Sequence, residues 1–277
     1  MKQKTPRASN RGNSERRSTR ILDVRFDLIS HRSVVNEIDE WKEAGRRCFV
    51  ALTNPHSVML CRRDEGMARA TRHADLVLPD GIGIILAANV LRYRHEGRIT
   101  GPTLMLRLAD LGRERGLRHY FFGGSEGVPQ RLAERLSELY PGLQVAGAYS
   151  PPFRELSHSE NQRMVEMIND ARPDVLWVGL GAPKQEKWMA DHVGRIEAAA
   201  MIGVGAAFDF HSGNVKWAPA WIRAIGLEWA FRSMLEPRRM WRRNLGYPAF
   251  LAMVMAQRLA AFLRPRSKQA STPEASS

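Results

Sequence analysis

The chain is poor in several features that would have settled its class at once. Its 277 residues include two cysteines, Cys48 and Cys61. Neither lies in a CxxC pair, so disulfide framework and zinc-ligand spacing are both missing, and a reducing, cytoplasmic setting is expected. The eight histidines form no HxxxH pair, and His56 and His211 stand alone without a carboxylate at metal-ligand spacing. No Asp-x-Asp triplet occurs, which removes a common carboxylate clamp for a divalent cation, and no metal site is expected. A complete GxGxxG turn is also missing, and no acidic residue can be assigned to a ribose, so a dinucleotide-binding reading is weak. Long apolar runs are lacking too. The nearest, Ala249–Ala256, is followed by Gln257 and Arg258 and is expected to be too short to cross a bilayer, which takes about 18 residues or more. The polar, basic N-terminus has no apolar core of a secretory signal.

What the chain does have is positive charge, +13 net, unevenly placed. Residues 1–20 hold seven basic side chains and one acidic, Glu15; residues 232–277 hold nine basic and two acidic, Glu236 and Glu274. The stretch 21–231 is therefore neutral. A nucleic-acid-binding protein would carry its basic charge on the folded body. A neutral body between two basic ends fits attachment to an anionic surface instead, and no nucleic-acid partner is expected. Residues 1–20, rich in Arg, Ser, Thr and Asn, read as a disordered basic arm, and 266–277 as a disordered tail.

From Ile21 the pattern alternates between strand and helix. ILDVRFDLI reads as a half-buried strand, SVVNEIDEWKEAG as a helix closed by Gly45, and CFVALTN as a buried strand ending in turn residues. The unit recurs in LVLPDG, HYFFGGS, VLWVGLG and AMIGVGAAFDF, each followed by a helical stretch. The fold class is thus α/β, a Rossmann-like, largely parallel sheet with helices on both faces, over 21–215. After about 216 the composition shifts to tryptophan and arginine, then to the apolar PAFLAMVMAQRLAAFLRPR, which is read as a helical, membrane-docking appendage over 216–265.

The unusual residues fall just after the apolar part of each strand: Thr53 and Asn54, Asp80 and Gly81, Gly123 and Gly124, Gly179 and Gly181, and Gly203, Gly205 and Asp209. Ligands of open α/β sheets bind beyond the carboxyl ends of the strands, so one shared pocket is expected. GGSEGV, ahead of a helix, suits an anion at a helix N-terminus; a tight turn needing glycine only for geometry accounts for it equally well. In VGLGAPKQEKW, Gln185 suits a hydrogen bond to a sugar or phosphate, while Glu186 is also natural in a first helical turn. Asp80 reads in isolation as a helix cap. Its place among strand-end glycines makes it a candidate general base. Asp209 caps a turn or holds a nucleobase or ribose. Without a metal clamp, arginines must neutralise a diphosphate, and Arg98, Arg232, Arg238, Arg239, Arg242 and Arg243 are the candidates; attraction to lipid headgroups is their other role.

In order along the chain, TNPHSVML, ADLVLPDGIGI, RITGPTL, FFGGSEGV, YPGLQVAGAYSPPF, RPDVLWVGLGAPKQEKW, IGVGAAFDFHSG and GLEWAFRSMLEPRR resemble the blocks of the WecG/TagA/CpsF glycosyltransferases. The resemblance spans roughly 21–245. It implies an inverting, metal-independent transfer from a UDP-sugar, often UDP-N-acetylmannosamine, to a polyprenyl-diphosphate-linked saccharide. The setting it implies is cell-surface polysaccharide biosynthesis at the inner face of the cell membrane, with the protein peripheral to that membrane. No cofactor beyond the donor is implied, and homo-oligomers are left open. It also implies Asp80 as catalytic base and matches Thr53, Arg98 and Gln185 to the family's TxN, RxTG and PKQE motifs. The resemblance places the appendage arginines, including Arg232 and Arg238, over the active site; from their strand-end positions Asn54, Gly81, Gly123, Gly124, Gly179, Gly181 and Asp209 are expected around the donor.

Two departures stand out. Trp217 precedes Ala218-Pro219 where the family commonly has arginine. Ser150-Pro151-Pro152-Phe153 replaces a glycine-aromatic-Phe string, a variant closer to exopolysaccharide members, which adds UDP-glucose and related UDP-hexoses to the donors expected. The rival of another class is a Rossmann-type nucleotide-binding oxidoreductase, which should carry the GxGxxG turn and ribose acid that are missing.

Overall fold

The computed structural model describes residues 18–263 apart from 155, 239 and 241–244. Most of the basic arm, the C-terminal tail, and Arg239, Arg242 and Arg243 lie outside the described residues.

Six parallel strands form the sheet, in the order β4-β3-β8-β7-β5-β6. They are β3 (Cys48–Thr53), β4 (Leu76–Pro79), β5 (Arg118–Gly123), β6 (Gln144–Tyr149), β7 (Val175–Gly179) and β8 (Ala200–Gly203). The period-2 geometry of a strand divides each apolar run between two cores. Phe49, Ala51, Tyr120, Phe122, Leu176 and Val178 face one cluster; Val50, Leu52, Phe121, Val175 and Trp177 face the other. The first cluster is covered by helices α2 (Pro55–Cys61), α4 (Ile82–Val90), α7 (His158–Asp170) and α8 (Lys184–His192). The second is covered by α1 (His31–Glu43), α5 (Gly101–Leu111), α6 (Val128–Leu139) and α9 (Ala207–His211). A further body helix, α3 (Glu65–His73), packs beside α2 and α8. This is the doubly covered parallel sheet that the alternating pattern predicts.

Three expectations need correction. ILDVRFDLI is not one strand. It belongs to a hairpin, β1 (Ser18–Ile21) and β2 (Val24–Asp27), turned at Leu22, whose φ is +52°. The hairpin guards the β4 edge with side chains: the buried Asp27 accepts the Val77 N–H at 2.9 Å, and Arg25 donates to the carbonyls of Ala74 (3.1 Å) and Asp75 (2.9 Å). Second, β6 is a strand that the unit pattern did not mark; its residues are half-buried or exposed, so the apolar run that flags the others is missing. Third, the C-terminal helix is not limited to the apolar run Ala249–Ala256 that was expected to be too short to cross a bilayer. It runs Tyr247–Leu263, and the 18 residues Gly246–Leu263, with mean hydropathy 1.3, are long and apolar enough to cross a membrane by length and composition. Gln257, a residue compatible with a helix interior, lies within it, and its side chain accepts the Leu22 N–H (2.8 Å) and donates to the Arg20 carbonyl (3.0 Å).

The C-terminal helices whose bounds fall within the described residues include α10 (Ala220–Ala224), α11 (Glu228–Leu235) and α12 (Tyr247–Leu263). α12 docks one face on α2 and α4 through Phe250 and Val254, both fully buried. Leu251, Met255, Leu259 and Phe262, on another face of the same helix, are exposed. The α10–α11 turn sits tightly on α4: a Cβ at Gly226 would come within 2.8 Å of Ile82.

Candidate active site

A cavity of about 440 Å³ opens beyond the carboxyl ends of β4, β3, β8 and β7 and beneath the C-terminal helices. Each wall follows from local sequence. At the end of β3, Asn54 caps α2 by accepting the Ser57 N–H (3.1 Å). Its amide then donates to Asp80 Oδ2 at 3.4 Å. Asp80 follows β4, its own N–H bonded to the Thr53 carbonyl (3.0 Å). The N-cap of α4 is Gly81, at φ +82°, so Asp80 stands one residue outside the helix with its carboxylate beside the cavity. The cap reading of Asp80 thus gives way to Gly81, whose backbone conformation suits glycine.

After β7, Gly181 at φ +75° turns the chain into α8. Gln185 is 5% exposed; its Oε1 accepts the Gly181 N–H (3.2 Å) and its Nε2 donates to Glu186 Oε1 (3.0 Å). That pairing fixes which end of the amide is which. Gly203 leaves the space that this side chain fills, since a Cβ there would stand 3.0 Å from Gln185 Nε2. The roof consists of Phe210, Trp217, Ala218, Glu228, Trp229, Arg232, Met240 and Tyr247. The Arg232 guanidinium lies over the Phe210 ring at 5.2 Å.

Of the residues singled out in the sequence, Asn54, Asp80, Gly81, Gly181, Gln185 and Arg232 line this cavity, as do His56, Gly203 and Gly205. Glu186 lines it too, and the other described candidates stand back from it. Thr53 is buried below Asp80, its hydroxyl without a hydrogen-bond partner among the described residues. Arg98 lies behind the wall, its Nη1 3.5 Å from Glu228 Oε2 and its Nη2 donating to the Arg223 carbonyl. Asp209 holds its own turn, accepting from Asn214 Nδ2 at 3.1 Å. Arg238 is exposed and outside the lining. Gly123, Gly124 and Gly179 serve packing in this structure. A Cβ on Gly123 would meet the Gly179 carbonyl carbon at 2.6 Å, one on Gly124 would meet Val128 at 3.0 Å, and one on Gly179 would meet the Phe208 ring at 2.8 Å.

Sequence reasoning missed Glu228, Trp229 and Tyr247, and noted Trp217 only as a departure from the family pattern. The signal for Glu228 was its spacing. Glu228 and Arg232 are four apart in GLEWAFRSMLEPRR, which places an acid and a base on one helix face. His211, noted as a lone rim histidine, is tied to the Pro102 carbonyl (2.9 Å) and set against Trp217, with its pKa lowered first of all by burial.

Fold and crevice together define an α/β protein with one polar, carboxylate-bearing ligand site at its strand ends. The family follows from comparison. Residues 19–263 match the model of the Glycosyl transferase WecG/TagA/CpsF family, and the chain belongs to that family. It is a glycosyltransferase. It is similar to the N-acetylglucosaminyldiphosphoundecaprenol N-acetyl-beta-D-mannosaminyltransferases of Bacillus subtilis strain 168 (29% identity, covering 75% of this chain and 79% of the relative) and Bacillus spizizenii strain W23 (29%, 79% and 83%). The enzyme of the same description from Staphylococcus aureus strain NCTC 8325 is 26% identical, over 80% of this chain and 86% of its own length.

Proposed function

We propose that the protein transfers a hexosyl group from a UDP-sugar to a polyprenyl-diphosphate-linked saccharide, with inversion and without a metal ion, on the inner face of the cell membrane. The observation that carries the reading is the Asp80 carboxylate at the strand-end cavity, oriented by Asn54 and outside the helix it was suspected of capping. Asp80 takes the proton from the acceptor hydroxyl as that oxygen attacks the anomeric carbon. The bond to the UDP oxygen breaks, and the leaving diphosphate is stabilised by guanidinium groups, Arg232 from the roof and Arg98 from behind it. Gln185 orients the donor sugar from the opposite wall, and Thr53 supports Asp80 from below. The relatives' names speak for a diphosphoundecaprenol-linked acceptor and an N-acetylmannosaminyl donor; the SPPF variant keeps UDP-glucose and related hexoses as donors to be tested. The lack of an Asp-x-Asp triplet supports a metal-free reaction.

The proposed attachment to the membrane is peripheral. α12 presents Leu251, Met255, Leu259 and Phe262 outward while Phe250 and Val254 hold it to the body, as in a helix lying in the interface plane. The test is a donor screen with purified full-length protein, a lipid-diphosphate acceptor in vesicles, and UDP release as readout, with and without EDTA. Hexosyl transfer that persists in EDTA supports the reading. No release from any UDP-hexose, or strict dependence on added metal, refutes it.

A further inference from the structure

We propose that Glu228 is a positioning residue for Arg98, holding its guanidinium until the donor's diphosphate takes the carboxylate's place; this rests on the reading that Arg98 serves the diphosphate. Arg98 Nη1 lies 3.5 Å from Glu228 Oε2, each side chain about one-fifth exposed, and Nη2 donates to the Arg223 carbonyl. The other carboxylate oxygen, Oε1, accepts the Trp217 indole N–H at 2.9 Å. The Arg223 guanidinium covers the Trp217 ring, 3.7 Å from its centroid. One body residue is therefore clasped by two C-terminal residues, and Trp217 with Arg223 braces the clasp.

The charges of the wall give this clasp a purpose. Among the described lining residues are three carboxylates, Asp80, Glu186 and Glu228, and one guanidinium, Arg232. A diphosphate entering that wall meets repulsion unless a further cation turns toward it. Arg98 is a cation adjacent to the wall, and its charge is matched by Glu228. The contact is loose: 3.5 Å exceeds the 2.7–2.9 Å typical of a charge-assisted N–H···O bond. A phosphate offers the planar guanidinium a two-point match and is the stronger partner. Glu228 keeps the Trp217 N–H when Arg98 leaves, so it is not stranded as a buried charge. Donor binding thus exchanges one anion for another on Arg98 and removes one tie between α11 and the body.

The experiment measures UDP affinity by calorimetry at fixed ionic strength for the full-length wild type, Glu228→Gln, Arg98→Gln and the double variant. Deuterium uptake over residues 216–235 is followed in parallel. Glu228→Gln should bind UDP about tenfold more tightly, some 1.4 kcal/mol. Arg98→Gln should bind it more weakly, and adding Glu228→Gln to that background should tighten binding by clearly less than tenfold, since only the direct repulsion by the carboxylate is then relieved. Uptake over 216–235 should rise with UDP in the wild type and be raised already in Glu228→Gln. Glu228→Asp, which withdraws the charge by one methylene, should shift affinity the same way by less, and it serves if the glutamine variant does not fold. Unchanged or weaker UDP binding by folded Glu228 variants overturns the proposal and leaves the carboxylate a structural tie. Wild-type UDP affinity in Arg98→Gln refutes instead the assignment of Arg98 to the diphosphate.

Discussion

Gly179 separates two explanations of the strand-end glycines, ligand approach and packing, and Gly179→Ala tests them. Its φ is not positive, so alanine brings no backbone penalty, and only space decides. The added Cβ would stand 2.8 Å from both Cγ and Cδ2 of Phe208, a ring that is 1% exposed within the second core cluster. A ring held there cannot swing away as the tip of a flexible side chain would. Overpacking by one carbon in such a place costs roughly 1–3 kcal/mol, against a total stability of about 5–15 kcal/mol. For a chain of this size each kcal/mol is worth about 2–4 °C in melting temperature, so the expected fall is on the order of 2–12 °C. Thermal melting followed by circular dichroism measures it, and calorimetric UDP titration of the folded variant accompanies it. UDP affinity should hold within about twofold, because Gly179 is absent from the cavity wall. Phe208→Leu in the same chain should recover part of the lost stability by vacating ring atoms. A variant that melts like the wild type but has lost UDP binding would refute the packing account and return Gly179 to the donor site.

The remaining predictions concern the base, the buried histidines and the docked helix. Asp80→Asn should leave UDP affinity nearly unchanged while lowering turnover at least 100-fold, the scale of general-base assistance; near-normal turnover removes Asp80 as base. Burial pushes His119 down to about 4 from an ordinary 6.5 and keeps it neutral, accepting the Trp177 indole N–H at 3.0 Å. Below pH 6.5 the unfolded chain takes a proton that the folded one refuses until about pH 4, so stability should fall across that window by up to about 3 kcal/mol and be flat above it. Urea midpoints against pH for His119→Gln should lose this share of the slope and retain that of His31, His192 and His211, also lowered by burial. Phe250→Ala removes a fully buried ring from under α12, a loss of about 3–5 kcal/mol of local packing. Deuterium uptake over 247–263 should rise, and transfer to a vesicle-borne acceptor should fall more than UDP binding does.

The sheet was legible because each central strand is apolar on both faces, as in Cys48–Leu52 and Val175–Val178; β6 was not, because an edge strand needs no such run. The site was legible where a residue's type departs from what a strand end needs structurally. Asp80, Asn54 and Gln185 are polar groups at the mouth of a parallel sheet, and all three line the cavity. Glycine carried less information. The same residue type opens the wall at Gly181, makes room for Gln185 at Gly203, and merely lets two strand ends touch at Gly123 and Gly179. Only the neighbours tell these apart, and neighbours across a sheet are remote in sequence.

The C-terminal helices were the least legible part, for a related reason. Their composition signals an anionic, apolar surface as partner, and the basic residues were accordingly weighed as ligands for phosphate. The geometry gives some of that charge to the protein itself. Arg223 lies on Trp217, Arg232 lies over Phe210 and 3.7 Å from Glu236, and Arg98 reaches out of the body to meet Glu228. Where the family commonly carries arginine, this chain places the Trp217 indole, and Arg223 supplies a guanidinium to its face. A roof built from such pairs lies over the cavity and still holds cations that an incoming diphosphate can recruit. Charge counted along the sequence measures how strongly the ends are drawn to an anionic surface; the charge available to the reaction is set by which of these pairs the donor can displace.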